Sequence, residues 1–278
     1  MYREWAPGSR IAGWVACLWI NEATSATTQP VVPDGCVDLI WGPGGAQVAG
    51  PDTGPKPVRM APGDRYVGIR FRPGAAGELF GVRLDSLRDL RVPLSDLEPL
   101  VPLSDLEPLT ASLTPGPLTT SLARESSTAP PREPLTTPPA PEPPTGPAGV
   151  RPPEPISDAL RRALAVRLRA APEPDPAASA IAEALRTGRS VREVAWDLGV
   201  GERQLLRRSL RAFGYGPKVL QRVIRFQRAL RLARRGVAAA EVAALSGYAD
   251  QAHMANEVRR LAGVPLSRLL DRPGDGTA

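Results

Sequence analysis

The chain has 278 residues, 42% of them hydrophobic, enough for one to two domains with real cores. It holds no run of about 18 apolar residues, which argues against a membrane-spanning helix. The start, MYREWAPGSR, is not a secretory signal, because Glu4 and Pro7 interrupt it before any apolar stretch, so a cytoplasmic protein is expected. The only cysteines, Cys17 and Cys36, make no zinc site without a second ligand pair and are expected as small buried residues.

The formal net charge of +6 is unevenly spread. Residues 1–110 hold 10 Lys+Arg against 13 Asp+Glu, and residues 151–278 hold 23 against 13. A basic segment beside a slightly acidic one predicts a polyanion partner for the basic one.

In chain order, IAGWVACLWI, CVDLIWG, AQVAG and RYVGIRF are apolar runs rich in Val, Ile and Trp, separated by Gly/Pro turns such as PDG, GPGG and APGD. This pattern predicts a small antiparallel barrel-like or sandwich domain over 1–110. Residues 75–90 shift toward a helical pattern, with Leu79, Leu84, Leu87 and Leu90 as its apolar stripe. VPLSDLEPL then occurs at 92–100 and again, verbatim, at 101–109. Nine residues would rotate a continuous helix by about half a turn, and the prolines oppose a long helix. One copy is therefore expected as a surface insertion. Residues 111–155 contain 14 prolines and predict a Pro-rich linker of polyproline II character. Helical patterns fill the rest of an all-α segment, 156–278, so the whole chain is α+β and multidomain.

That segment contains a faint repeat. EVA recurs at 193–195 and 241–243, each followed four residues later by a glycine, Gly199 or Gly247, and after about a dozen residues by Gly214 or Gly263. Ser190 and Glu193 form a capping-box pattern. Small Ala195 and Ala243 permit close helix crossing, and the glycines suit left-handed helix ends. Each unit reads as a helix-turn-helix, whose second helix enters the DNA major groove.

At 100° per residue, Met254, Val258 and Leu261 share the buried face of the second unit, opposite Ala252, His253, Asn256, Arg259 and Arg260. In the first unit Leu205, Ser209 and Ala212 share a face, while Arg203, Gln204, Arg207, Arg208 and Arg211 point away. Four arginines and a glutamine together suit base edges and phosphates. His253, the only histidine, has no neighbouring His, Cys or nucleophile pattern and is placed on the groove face. Residues 217–235 predict a long helix joining the units.

These residues resemble the double helix-turn-helix domain of AraC-type bacterial transcription regulators over about 177–270. The resemblance implies a seven-helix DNA-binding domain. It places base contacts on Arg203, Leu206 and Arg207, and on Gln251, Ala252, His253, Ala255 and Asn256. Met254 and Val258 stand where that family usually has Phe, and Asn256 where Arg is frequent. VVPDGCVDLIW, AGPDTGP and VGIRFRPGAA resemble an uncharacterised domain found in front of such DNA-binding domains, implying a β-barrel sensor or dimerisation domain. Neither an enzyme nor a metal or cofactor is expected, since the N-terminal part has no histidine for a metal site. The PDGC cluster of Asp34, Cys36 and Asp38 reads best as a turn into a strand. Expected partners are double-stranded DNA, RNA polymerase, a small-molecule effector and a second copy of the chain. Trp14, Trp19, Trp41, Tyr66, Arg70 and Arg72 are the effector-site candidates, because aromatic and cationic residues recur in ligand pockets.

Overall fold

The computed structural model describes residues 1–77, 79–100, 102–106, 158–171 and 173–270. The expected linker, 111–155, lies outside them. Among the described residues eight strands make two antiparallel sheets. The larger has the order β1-β2-β7-β4-β5-β8, built from Tyr2–Trp5 (β1), Val15–Glu22 (β2), Val37–Gly42 (β4), Gly45–Ala49 (β5), Arg65–Phe71 (β7) and Arg91–Pro93 (β8). The smaller pairs Thr27–Val31 (β3) with Lys56–Met60 (β6). The two sheets face each other without closing into a ring.

Period-two alternation gives the large sheet two different faces. A bulge between Val15 and Cys17 resets β2, so that Leu18 and Ile20 share one face with Ile69 and Val67. With Leu39, Trp41, Val48 and Phe71 these residues form the N-terminal core. Cys17, Trp19 and Asn21 lie on the other face, opposite Arg70, Gly68 and Tyr66.

The four predicted strands are present, and four more join them. Among the described residues of 75–90 there is no α-helix; they form turns and one short 3-10 turn, Leu84–Ser86. Gly77 and Gly81 take positive φ of 47° and 74°, which ends any α-helix. Leu79, Leu84 and Leu87 are still buried, whereas Leu90 is exposed.

The repeated nonapeptide also departs from expectation. Leu94–Asp96 and Ser104–Leu106 each form a 3-10 turn, and Leu94, Leu103 and Leu106 are all buried in the N-terminal core. The described part of the second copy, 102–106, is packed structure rather than a surface insertion, because Leu103 and Leu106 meet a helix from far along the chain. That helix, Asp158–Leu168 (α1), contributes Leu160, Leu164 and Leu168 to the same core. Arg161 donates to Ala6 O at 3.3 Å and Arg167 to Pro102 O at 2.8 Å. A helix assigned by sequence to the C-terminal segment thus packs with the N-terminal sheet.

Seven further helices follow among the described residues: Pro176–Arg186 (α2), Val191–Asp197 (α3), Glu202–Phe213 (α4), Pro217–Arg234 (α5), Ala239–Leu245 (α6), Gln251–Ala262 (α7) and Leu266–Leu270 (α8). They build two small cores, one holding α2 to α4 and the start of α5, the other α6 to α8 and the rest of α5. Both α4 and α7 pack on α5. Met254 and Val258 are buried, so these side chains fill the space under α7.

Candidate nucleic-acid interface and ligand cavity

Each helix-turn-helix unit is fixed by local chemistry. Ser190 Oγ accepts from Glu193 N at 3.3 Å, and Glu193 Oε2 accepts from Ser190 N at 2.7 Å, completing the capping box on α3. The hydrogen bond from the Ser190 backbone N–H holds the Glu193 carboxyl below the usual carboxylate range. Gly199 and Gly247, in the two turns, take φ of 62° and 78°. Ala195 of α3 and Ala243 of α6 are buried, and α3 packs against α4 as α6 does against α7. Buried Ser209 is satisfied by donating to Tyr215 O at 2.8 Å.

On α4, Leu205, Ser209, Ala212 and Phe213 face the core. Arg203, Gln204, Leu206, Arg207 and Arg211 are exposed, and Arg208 is half-buried. Arg203, Arg207 and Arg208 have no ion-pair partner among the described residues, so their cationic heads are available to an incoming anion.

The face of α7 is different. Gln251, Ala252, Asn256, Arg259 and Arg260 are exposed, whereas His253 and Ala255 are half-buried. Asp250 Oδ1 caps the helix by accepting from His253 N at 2.7 Å. Ala249 N donates to His253 Nδ1 at 3.4 Å, and the imidazole meets the Tyr248 ring edge-on at 5.4 Å. With Nδ1 accepting, the neutral ring carries its proton on Nε2 and has one donor left to offer. Sequence reasoning gave no role to Tyr248, Arg225 or Glu257. Arg225 lies 5.2 Å over the Tyr248 ring and donates to Gly247 O at 3.3 Å. Glu257 pairs with Arg222 of α5 at 2.7 Å. These contacts join residues distant in sequence, so no local periodicity announces them.

Between the two sheets lies a cavity of about 310 Å³. Of the six effector-site candidates, Trp19, Tyr66 and Arg70 line it; Trp14, Trp41 and Arg72 do not. Trp41 is one residue out of phase with Ile40 and points into the core. Trp14 packs on that core as well, and Arg72 lies past the end of β7, donating to Ala12 O at 2.6 Å. The lining also includes Tyr2, Asn21, Asp34, Asp38, Asp52 and Met60. A Cβ at Gly68 would stand 2.1 Å from Trp19 Cε2, so only glycine lets the indole lie flat against β7.

One end of the cavity is an ionic cluster. Arg70 lies 3.1 Å from Asp38, 3.6 Å from Asp34 and 3.7 Å from Glu4. Trp19 Nε1 donates to Asp38 Oδ1 at 2.8 Å, and the Tyr2 hydroxyl donates to Glu4. Burial raises the pKa of both Asp38 and Glu4 against the pull of Arg70. Burial opposes the charge of Arg70, but the facing carboxylates outweigh it and hold its pKa above the ordinary value. Asp52, at the other end, pairs with Arg91 at 2.6 Å. The PDGC cluster is a turn, as read: Asp34 Oδ1 accepts from Cys36 N at 2.8 Å, and Gly35 has φ of 85°. It nevertheless turns Asp34 and Cys36 toward the cavity.

Two loops that line the cavity also touch the helices. In the first, Val32 joins the core of the second unit, and Pro33 O accepts from Gln227 Nε2 of α5 at 2.6 Å. A Cβ at Gly35 would stand 3.4 Å from the Tyr215 hydroxyl, which is buried without a hydrogen-bond partner among the described residues. In the second, Gly50 and Asp52 line the cavity, and Pro51 and Pro55 reach the glycine caps of α4 and α7. A Cβ at Gly214 would stand 2.4 Å from Pro51, and one at Gly263 3.1 Å from Pro55. Both caps already need glycine for their φ of 77° and 72°. The same residues therefore end the two helices and seat one loop.

This geometry defines a two-part protein: paired helix-turn-helix units docked on a β-rich domain with an internal cavity. Residues 194–272 match the family described as "Helix-turn-helix domain", and residues 3–93 match a "Domain of unknown function (DUF6597)". The C-terminal part is an AraC-type helix-turn-helix DNA-binding domain. Solved structures similar to the chain include an apo lysine-to-alanine variant of ToxT from Vibrio cholerae strain SCE256, 11% identical, covering 92% of this chain and 97% of that one, with a TM-score of 0.44. A second ToxT structure from Vibrio cholerae is 10% identical, covers 92% of each chain and has a TM-score of 0.34. No curated protein matches the sequence. Among the described residues no helix is long and apolar enough to cross a membrane.

Proposed function

We propose that the chain is a sequence-specific transcription regulator that reads duplex DNA with α4 and α7 and is gated by a small molecule in the cavity of the β-rich domain. The observation that carries the reading is the loop from Gly50 to Pro55: it lines the cavity and abuts the C-terminal caps of both recognition helices. An occupant that moves this loop has a short physical route to both DNA-contacting elements. On α4, Arg203, Leu206 and Arg207 take base contacts, and Arg208 and Arg211 take phosphates. On α7, Gln251, Ala252, His253, Ala255 and Asn256 face the groove, and Arg259 and Arg260 take phosphates.

Mobility-shift titration of the full chain tests this, using an operator selected from random duplexes and a scrambled duplex at two salt concentrations. The expected preference for the operator is on the order of a thousandfold, with affinity falling steeply as salt rises. Equal binding of both duplexes would leave an architectural DNA binder instead. An enzyme using the cavity is a weaker reading, because burial pushes the Cys17 and Cys36 thiols up, away from the reactive thiolate.

A further inference from the structure

The cavity's lining points to the chemical class of its occupant, an inference that rests on reading it as the effector site. One wall is apolar and aromatic, from Ile40, Val58, Met60, Tyr66 and Trp19. The Trp19 indole lies against Gly68, so its opposite face borders the cavity, and the Tyr2 ring stands beside it with centroids 6.0 Å apart. At that same corner three carboxylates, Glu4, Asp34 and Asp38, surround the single guanidinium of Arg70. Asp52 and Arg91, further along, balance each other.

The corner therefore holds two more negative charges than positive ones when its groups are ionised. Buried charge is costly unless paired. An anion would add to the excess, and a neutral molecule would leave it in place. A cation would relieve it, and aromatic faces attract cations further. We propose that the cavity takes a small organic cation, an ammonium or guanidinium on an apolar body, with its charge against Asp34 and Asp38 and its body against Trp19, Tyr66 and Met60. The volume suits a small ligand of this kind. Asp34 belongs to the loop that reaches Gln227 and Tyr215, so neutralising it acts where the β-rich domain meets α5.

The test is calorimetric titration of the full chain with phenethylammonium and tryptammonium. Each is compared with its isosteric carboxylate, 3-phenylpropionate or indole-3-propionate, and with the matching neutral alcohol. The cations should bind at least about tenfold tighter than the carboxylates, a difference of about 1.4 kcal/mol. Asp34→Asn and Asp38→Asn should each remove most of that preference. Ile40→Trp, which fills the cavity, should abolish binding of every probe. Thermal unfolding of each variant checks that it folds, and Asp34→Asn carries the test if Asp38→Asn does not. Carboxylates binding as tightly as the cations would overturn the proposal in favour of an anion site on Arg70. Binding by none of the probes, or cation binding indifferent to all three substitutions, would overturn it equally. If the cations bind as proposed yet leave operator affinity unchanged, the ligand class stands and the gating falls.

Discussion

The chain carries two internal repeats that have gone different ways. The nonapeptide repeat is verbatim, and its copies do the same job: each makes a 3-10 turn and sends leucines into the same core. The helix-turn-helix repeat has kept only its scaffold, the EVA triplet, the left-handed glycines and the buried alanines. Its outward chemistry has diverged. The first unit carries long cations along α4, and Arg203, Arg207 and Arg208 have no ion-pair partner among the described residues. The second carries its long cations, Arg259 and Arg260, only toward the end of α7 and shorter groups before them, with His253 held by Ala249 and Tyr248, and Glu257 by Arg222. The caps have diverged as well. A side chain caps α3 but not α4, and α7 but not α6. Packing tolerates little change, whereas a face meant for a partner is free to specialise.

The largest expected effect tests the nonapeptide side of this comparison. Leu103→Ala should destabilise the protein by about 2–5 kcal/mol, because it empties a fully buried site. Denaturant unfolding measures it. A change close to zero would mean that the second copy is not packed and that the two copies differ after all.

Next comes Arg207→Ala, which should cost roughly 1–3 kcal/mol of operator binding and relax preference at one base position. Titration against operator and scrambled DNA decides it. Equal loss on both would make Arg207 a phosphate contact and erase the contrast between the units. Removing a cap should cost about 1 kcal/mol of stability, for Ser190→Ala and Asp250→Ala alike, as read by thermal unfolding. Only Asp250→Ala should also weaken operator binding, because only that cap holds a recognition helix. The smallest effect belongs to His253→Ala, about 0.5–1 kcal/mol of operator affinity for one neutral hydrogen bond. Loss of all specific binding would show that the second unit reads sequence more strongly than the first.

The features legible in the sequence were those written locally. Ser190 with Glu193, the glycine at each turn, and the split of Leu205 from Arg207 or Met254 from Arg260 follow from helical period alone. The unread features depend on distant partners. The β3–β6 sheet was hidden because Pro30 faces Pro57 across it, and proline argues against a strand except at edges. Nothing near 158–168 says that its leucines pack beside β-strands. Alternation puts Ile40 and Trp41 on opposite faces, but only the docking of the small sheet makes Ile40's face the cavity. Trp41 was therefore a reasonable candidate on the wrong side. Tyr215 and Gln227 read as ordinary positions until Gly35 and Pro33 are seen beside them.

The central claim, that two unlike helix-turn-helix units engage one duplex and the first does most of the reading, is tested most directly by dimethyl sulfate protection of guanine N7 on a selected operator. The full chain should protect two major-groove segments about one helical turn, ~34 Å, apart. In Arg207→Ala one segment should lose its protection while the other persists. A single protected segment, or loss of both together in that variant, would contradict the account.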